Sequence, residues 1–175
     1  MISRVLFSSA KHDWETPWEF FRLCSKLFGP FDLDAAASEH NALCDRFFSR
    51  EDNALVRTWI GSRVWCNPPY GRDIHKWVSK AFVEVANGNA GSVAMLVPAR
   101  TDVAWFHRLI FCNPFDVWVQ VYFVLGRLLF GSAGSSHSPA PFPSMVIHVF
   151  RGEPEPMVSF YPLGRDIDED ILCKR

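Results

Sequence analysis

The apolar run Val64-Trp65-Cys66 leads straight into Asn67-Pro68-Pro69-Tyr70-Gly71, and no sheet can continue through that sequence. Each proline lacks an amide N–H, and each disfavours helix at the residue before it, so strand pairing must stop there. The segment reads as a compact strand with a stiff loop at its C-terminal end. Whatever the chain folds into has to present that loop at the rim of a sheet.

The rest of the chain supplies alternating elements. Thr16-Pro17 offers a helix start, with Thr16 as N-cap and Pro17 at the first helical position. Phe20, Phe21, Leu23, Cys24, Leu27 and Phe28 follow at helical spacing, and Gly29-Pro30 ends the helix. Residues 31–36 read as a short strand carrying a carboxylate at its C-terminal end, and residues 38–55 as mixed polar chain with small helical turns. From Asp73 to Asn87 the apolar residues Ile74, Trp77, Val78, Ala81, Phe82 and Val85 share one helical face, and Gly88 closes it. Residues 92–97 form a buried-type strand broken by Pro98. Asp102 is positioned to cap a helix through Trp105, Phe106, Leu109 and Ile110. Residues 117–125 and 145–150 read as strands, separated by a long low-complexity loop, residues 131–143.

Strands alternating with helices, then two late strands joined by a long loop, describe an α/β sheet with an antiparallel finish. In such sheets ligands gather at the C-terminal ends of the strands, where Asp34, Asn67 and Pro98 all stand. The 175 residues suit one domain. We divide it into a lead-in (1–13), a core (14–150) and a C-terminal tail (151–175), whose acidic stretch Asp166 to Asp170 reads as solvated.

Composition excludes several classes. A net charge of −1 rules against a protein that coats nucleic acid by charge alone, yet leaves nucleic acid open as a substrate. Five cysteines, widely spaced and without a C-x-x-C pair, fit buried thiols in a reducing compartment better than disulfides or a zinc site. His12, His75, His107 and the other histidines show no ligand spacing, so no metal is expected. There is no signal-like N-terminus and no apolar run of membrane-spanning length. The expected setting is the cytoplasm, with no membrane partner.

Asn-Pro-Pro-Tyr at a strand end suits one kind of chemistry. A planar amino group is a poor nucleophile because its lone pair is delocalised. Two acceptors, the Asn67 side-chain oxygen and the Pro68 carbonyl, would bind both N–H groups and free the lone pair, with Pro69 fixing the carbonyl and Tyr70 stacking on a base drawn from its duplex. Taken alone, the four residues also make an ordinary turn.

Separate blocks in consistent order extend the signal. They are Trp14-Glu15-Thr16-Pro17, Gly29 to Ala36, Val64 to Gly71, Leu96-Val97-Pro98-Ala99-Arg100-Thr101-Asp102, Gly126-Arg127-Leu128-Leu129-Phe130 and Ala140-Pro141-Phe142-Pro143-Ser144. In these the chain resembles the phage-type DNA N6-adenine methyltransferases from about Trp14 to Phe150. The resemblance implies a Rossmann-like S-adenosylmethionine-dependent methyltransferase fold, mostly parallel with an antiparallel final strand. It implies methyl transfer to adenine in double-stranded DNA by a phage- or prophage-encoded enzyme, with S-adenosylmethionine as donor and no metal. The chain has no room for a separate target-recognition domain, and the enzyme would act as a monomer or homodimer.

The same resemblance assigns Thr16 and Pro17 to the methionine carboxylate of the donor, a task suited to a helix N-terminus. It assigns Asp34 to the donor's amino group or ribose, although Leu33-Asp34-Ala35-Ala36-Ala37 lacks the usual glycine-rich turn. Asp32 competes, since strand alternation points both carboxylates to one face; Asp34 stands nearer the strand end. Asp52, in Asp52-Asn53-Ala54-Leu55, resembles the acid that binds the donor's adenine, and Asn41 is a ribose candidate. Phe130 and Phe142 flank the long loop and are candidates to stack on an extruded adenine. Arg72, Lys76, Arg100, Arg127 and the loop's Ser and His residues are candidates for phosphate contacts, which position a duplex without reading it. Methyl transfer to RNA adenine or to a protein glutamine stays open, as does a catalytically inactive DNA-binding module of the same fold.

Overall fold

A six-stranded sheet in the order β1-β2-β3-β7-β4-β8 organises the computed structural model, which describes residues 14–130, 138–152 and 157–164. The strands are β1 (Leu33–Asp34), β2 (Gly61–Cys66), β3 (Ala90–Pro98), β4 (Trp118–Val124), β7 (Ser144–Phe150) and β8 (Val158–Leu163). A separate two-stranded ribbon joins β5 (Leu129–Phe130) to β6 (Ser138–Pro139). β1, β2 and β3 pair in parallel, β7 runs antiparallel between β3 and β4, and β8 is parallel to β4. Every strand of the six-stranded sheet except β7 therefore ends at the same rim.

The expected antiparallel strand is β7, with a difference: it is inserted inside the sheet, and one more strand follows it. β8 lies in the stretch assigned to the tail. It is an edge strand, and an edge tolerates Pro162 because only one side needs pairing. The lead-in, the tip of the long loop and the acidic stretch lie outside the described residues.

The side-chain alternation of the strands covers both faces. Val64 and Cys66, Val93, Met95 and Val97, Val119 and Val121, and Met145, Ile147 and Val149 form one core beneath helix α2 (Ile74–Ala86). Trp65, Ala94, Leu96, Tyr122, Val124 and Val146 point the other way, against Phe20, Phe21, Cys24 and Phe28 of helix α1 (Trp18–Phe28). Two buried faces explain why the central strands are almost wholly apolar. Where β2 and β3 lie side by side there is no slack: a Cβ on Gly91 would sit 2.5 Å from the Ser62 carbonyl oxygen. Gly91→Ala is expected to cost about 1–3 kcal/mol by forcing the two strands apart, read as a lowered urea midpoint. An unchanged midpoint would show that this pairing yields freely.

Two helix ends differ from the sequence expectation. α1 has Pro17 as its cap residue (φ −61°), and the Thr16 side chain is turned elsewhere. Gly29, at φ 88°, terminates the helix as expected. The segment headed by Asp102 forms a π-helical turn, Phe106–Phe111, without a side-chain cap. Its wide spacing, seen in the Cys112 N–H bond to the His107 carbonyl, brings Phe106 and Phe111 edge to face at 5.4 Å. Helical periodicity cannot distinguish contacts four residues apart from contacts five apart.

Candidate functional site

Asn67 is the first residue beyond β2, at the rim where the parallel strands end. Its amide nitrogen donates to the Trp14 carbonyl (2.5 Å) and to the Thr16 hydroxyl oxygen (2.9 Å). A carbonyl can only accept, so the Trp14 oxygen fixes which end of the amide faces it. Both amide protons are thereby used. The side-chain oxygen is left buried, with no hydrogen-bond partner among the described residues. A buried acceptor without a donor is costly, on the order of 1–3 kcal/mol, and calls for a partner that the described residues do not supply.

Next to it stands Pro68, buried, whose carbonyl receives no hydrogen bond from any described residue; Pro69 is exposed. Tyr70 is buried, and its hydroxyl donates to the Leu96 carbonyl at the end of β3 (3.3 Å). Burial holds the Tyr70 phenol well above its usual range, so it stays protonated. Its ring meets Phe142 at 5.5 Å and Phe130 at 6.1 Å, both edge to face, and Trp14 meets the same two rings at 5.4 and 5.5 Å. The four aromatics make one cluster beside Asn67. The ribbon supports it, with the Ala140 N–H bonded to the Leu128 carbonyl. Phe130 is buried and Phe142 half-buried, so Phe142 has more freedom to meet a ligand.

Asp34 and Asp32 now separate. The Asp32 carboxylate accepts the Ser62 and Arg63 N–H groups at the start of β2, away from the rim. Asp34 lies at the end of β1, opposite Trp65 in β2, and is 2% exposed. Its two oxygens accept the Ala36 and Leu43 N–H groups, each at 3.2 Å. Burial outweighs those bonds and pushes its pKa up to about 6. Asp34 also raises the neighbouring Cys66 thiol, itself lifted chiefly by burial, which places this carboxylate close to the β2 end.

The remaining acids and amides are locally occupied. The Asn41 side-chain oxygen accepts the Ser38 N–H (2.7 Å) and hydroxyl (2.9 Å). One Asp52 oxygen accepts the Ser49 N–H (2.8 Å) and hydroxyl (2.9 Å), bonds that hold its carboxyl below the usual range. Phe47 and Phe48 run beside β1, parallel to it, and Phe48 stands four residues before Asp52. Arg72, Arg100 and Arg127 are exposed and follow the ends of β2, β3 and β4. Arg100 is 4.0 Å from Asp102, while Lys76 is paired with Asp73 at 2.8 Å on α2. The loop's His137 and its serines before Ser138 lie outside the described residues.

Sequence reasoning missed Trp14 as a site residue. Its backbone carbonyl orients Asn67, and a backbone group leaves no compositional trace. Two depressions, of about 440 and 390 Å³, lie against α2 and, on the strand-end rim, beyond the ends of β4 and β8. The site is defined by polar atoms at strand ends. No group of three metal-ligating side chains is found among the described residues, and no described helix is long and apolar enough to cross a membrane.

One antiparallel strand between β3 and β4 in an otherwise parallel sheet, with polar groups gathered at the strand ends, defines a Rossmann-like methyltransferase fold. The family model for DNA N-6-adenine-methyltransferase (Dam) matches residues 5–165, and the chain belongs to that family. It is 44% identical over 95 residues to the DNA N-6-adenine-methyltransferase of Escherichia phage T1, covering 53% of this chain and 38% of that protein. It is 35% identical over 103 residues to the protein of the same name from Haemophilus phage HP1 (strain HP1c1), covering 58% of each. A putative methyltransferase, YfdM, of Escherichia coli (strain K12) is 38% identical over 63 residues, 33% of this chain and 69% of that protein. The chain thus spans less than two thirds of the length of either phage relative.

Proposed function

We propose that this chain transfers a methyl group from S-adenosylmethionine to the N6 amino group of an adenine drawn out of double-stranded DNA. One observation carries the reading: the Asn67 amide is locked by Trp14 and Thr16 so that its oxygen is a buried acceptor without a donor among the described residues, beside the Pro68 carbonyl, which none of them bonds either. Two fixed acceptors match the two N–H bonds of an aromatic amine. Accepting both makes the nitrogen pyramidal and directs its lone pair away from the protein. Neither acceptor carries a full charge, so neither removes a proton before attack. Tyr70, Phe142, Phe130 and Trp14 offer the apolar walls that a flat base needs once it leaves its stack.

The residues present fit the donor. Its carboxylate suits the open N–H groups of Trp18, Glu19 and Phe20 at the α1 N-terminus, which Pro17 and Thr16 introduce. Its ammonium suits Asp34, a buried carboxylate that accepts two backbone bonds among the described residues. Asp52, with its second oxygen, and Asn41 are the residues we assign to the donor's nucleoside half. When bound, the donor supplies an electrophilic methyl group on sulfur. The chain's own contribution is to orient the amine and exclude water around it. Arg72, Arg100 and Arg127 lie beyond the same rim, in reach of phosphates flanking an extruded base. The names of the phage relatives favour DNA as the substrate; the setting proposed is a bacterial cytoplasm, with the chain acting as a monomer or homodimer.

The test is direct. Labelled S-adenosylmethionine is incubated with the full chain and, separately, duplex DNA, RNA and a protein extract, and adenine methylation is mapped in DNA from a methylation-deficient bacterial host expressing it. Label in DNA, at N6 of adenine, is expected. Label confined to RNA or to protein glutamine would transfer the same chemistry to another substrate, and no label with any acceptor would leave an inactive module.

A further inference from the structure

We infer that Thr16 is a positioning residue that couples the donor half of the site to the catalytic amide of Asn67. The inference rests on the proposed function and adds to it a link between the two ligands. A threonine hydroxyl has one proton to give and two lone pairs to receive. In this structure the oxygen receives the Asn67 amide proton at 2.9 Å, while no described residue accepts the hydroxyl's own proton. Thr16 stands immediately before Pro17, the residue from which α1 begins, where Trp18, Glu19 and Phe20 have N–H groups free of intrahelical partners. An anion held there would find the Thr16 proton among its donors.

The consequence is a short polarised chain. The hydroxyl donates to the anion, which makes its oxygen a better acceptor for the Asn67 amide. A firmer grip on the amide nitrogen holds the opposite oxygen, which has no partner, in the direction of the substrate amine. The Trp14 carbonyl supplies the second hold on that nitrogen whether or not a ligand is present. Donor binding thus tightens an amide that is already aimed.

Thr16→Val keeps the shape and removes the hydroxyl; Thr16→Ser keeps the hydroxyl. The side-chain amide resonances of Asn67, followed by NMR, are expected to shift when S-adenosylhomocysteine binds the wild-type chain and Thr16→Ser, and to stay put in Thr16→Val once ligand occupancy is matched. Turnover at saturating donor is expected to fall about three- to tenfold in Thr16→Val, the scale of one hydrogen bond, and to recover in Thr16→Ser. Full recovery of Thr16→Val by excess donor would overturn the coupling, because the hydroxyl would then serve donor affinity alone. So would an Asn67 signal that ignores the ligand in the wild-type chain, or a Thr16→Ser variant as impaired as Thr16→Val. A wild-type chain that binds S-adenosylhomocysteine but methylates nothing would defeat the proposed function, while the amide signal still decides the coupling.

Discussion

Asn67→Ala is expected to lower turnover by about 10²–10³-fold while leaving S-adenosylhomocysteine affinity within about twofold of the wild type. The magnitude is that of removing one fixed hydrogen-bonding group aimed at a transition state. The separation of effects follows from geometry. The amide nitrogen of Asn67 faces inward, to Trp14 and Thr16, and its oxygen is the part without a partner. Truncation removes the acceptor and leaves the α1 N-terminus and Asp34 in place for the donor. Asn67→Asp should not restore turnover: a carboxylate oxygen would then oppose the Trp14 carbonyl, which has no proton to give, so the group must turn away or take up a proton. Single-turnover methylation and titration calorimetry measure the two halves. If Asn67→Ala folds normally yet loses the ligand, the site is wrongly divided between donor and acceptor.

The parts of this arrangement visible in the sequence are those set by local rules. Two prolines end β2 wherever it pairs, and the alternation of Val64, Trp65 and Cys66 between two cores is already present in an apolar strand covered on both faces. What stayed hidden depended on partners distant in sequence. Thr16 is a good N-cap by type, but its oxygen is claimed by Asn67, 51 residues away. Trp14 orients Asn67 through its backbone carbonyl, a role that its side-chain type does not announce. Asp32 and Asp34 share a face by alternation, and only their N–H partners tell them apart: Ser62 and Arg63 at the start of β2 for Asp32, Ala36 and Leu43 in the loop after β1 for Asp34. β8 lies in the stretch read as tail; it is a strand because the β4 edge pairs with it. The π-helical turn shows the same limit, since apolar residues at 106 and 110 fit either winding.

The second large effect concerns the acid that alternation left unresolved. S-adenosylhomocysteine affinity is expected to fall about tenfold for each pH unit below 6, and Asp34→Asn to abolish that dependence while weakening binding at pH 7 by about ten- to a hundredfold, the scale of a charged hydrogen bond. In the free chain, burial raises the Asp34 pKa from 3.8 to about 6. The folded state therefore holds this proton more tightly than the unfolded chain does. Its effect on stability is most favourable below pH 3.8, is lost as pH rises from there to about 6, and is flat above. A shift of about two units corresponds to roughly 3 kcal/mol, so at neutral pH the free protein carries a buried charge at a cost. A cationic ammonium beside Asp34 offsets that cost, which is why the ionised form must be regenerated before the ligand binds, and why affinity declines with acid. Calorimetry between pH 5 and 8 reads the binding slope, and urea unfolding between pH 4 and 7 reads the stability slope, which Asp34→Asn should flatten. Wild-type affinity that is level between pH 5 and 7 would remove Asp34 from the ammonium site. An equal slope in Asp34→Asn would assign the titration to another group.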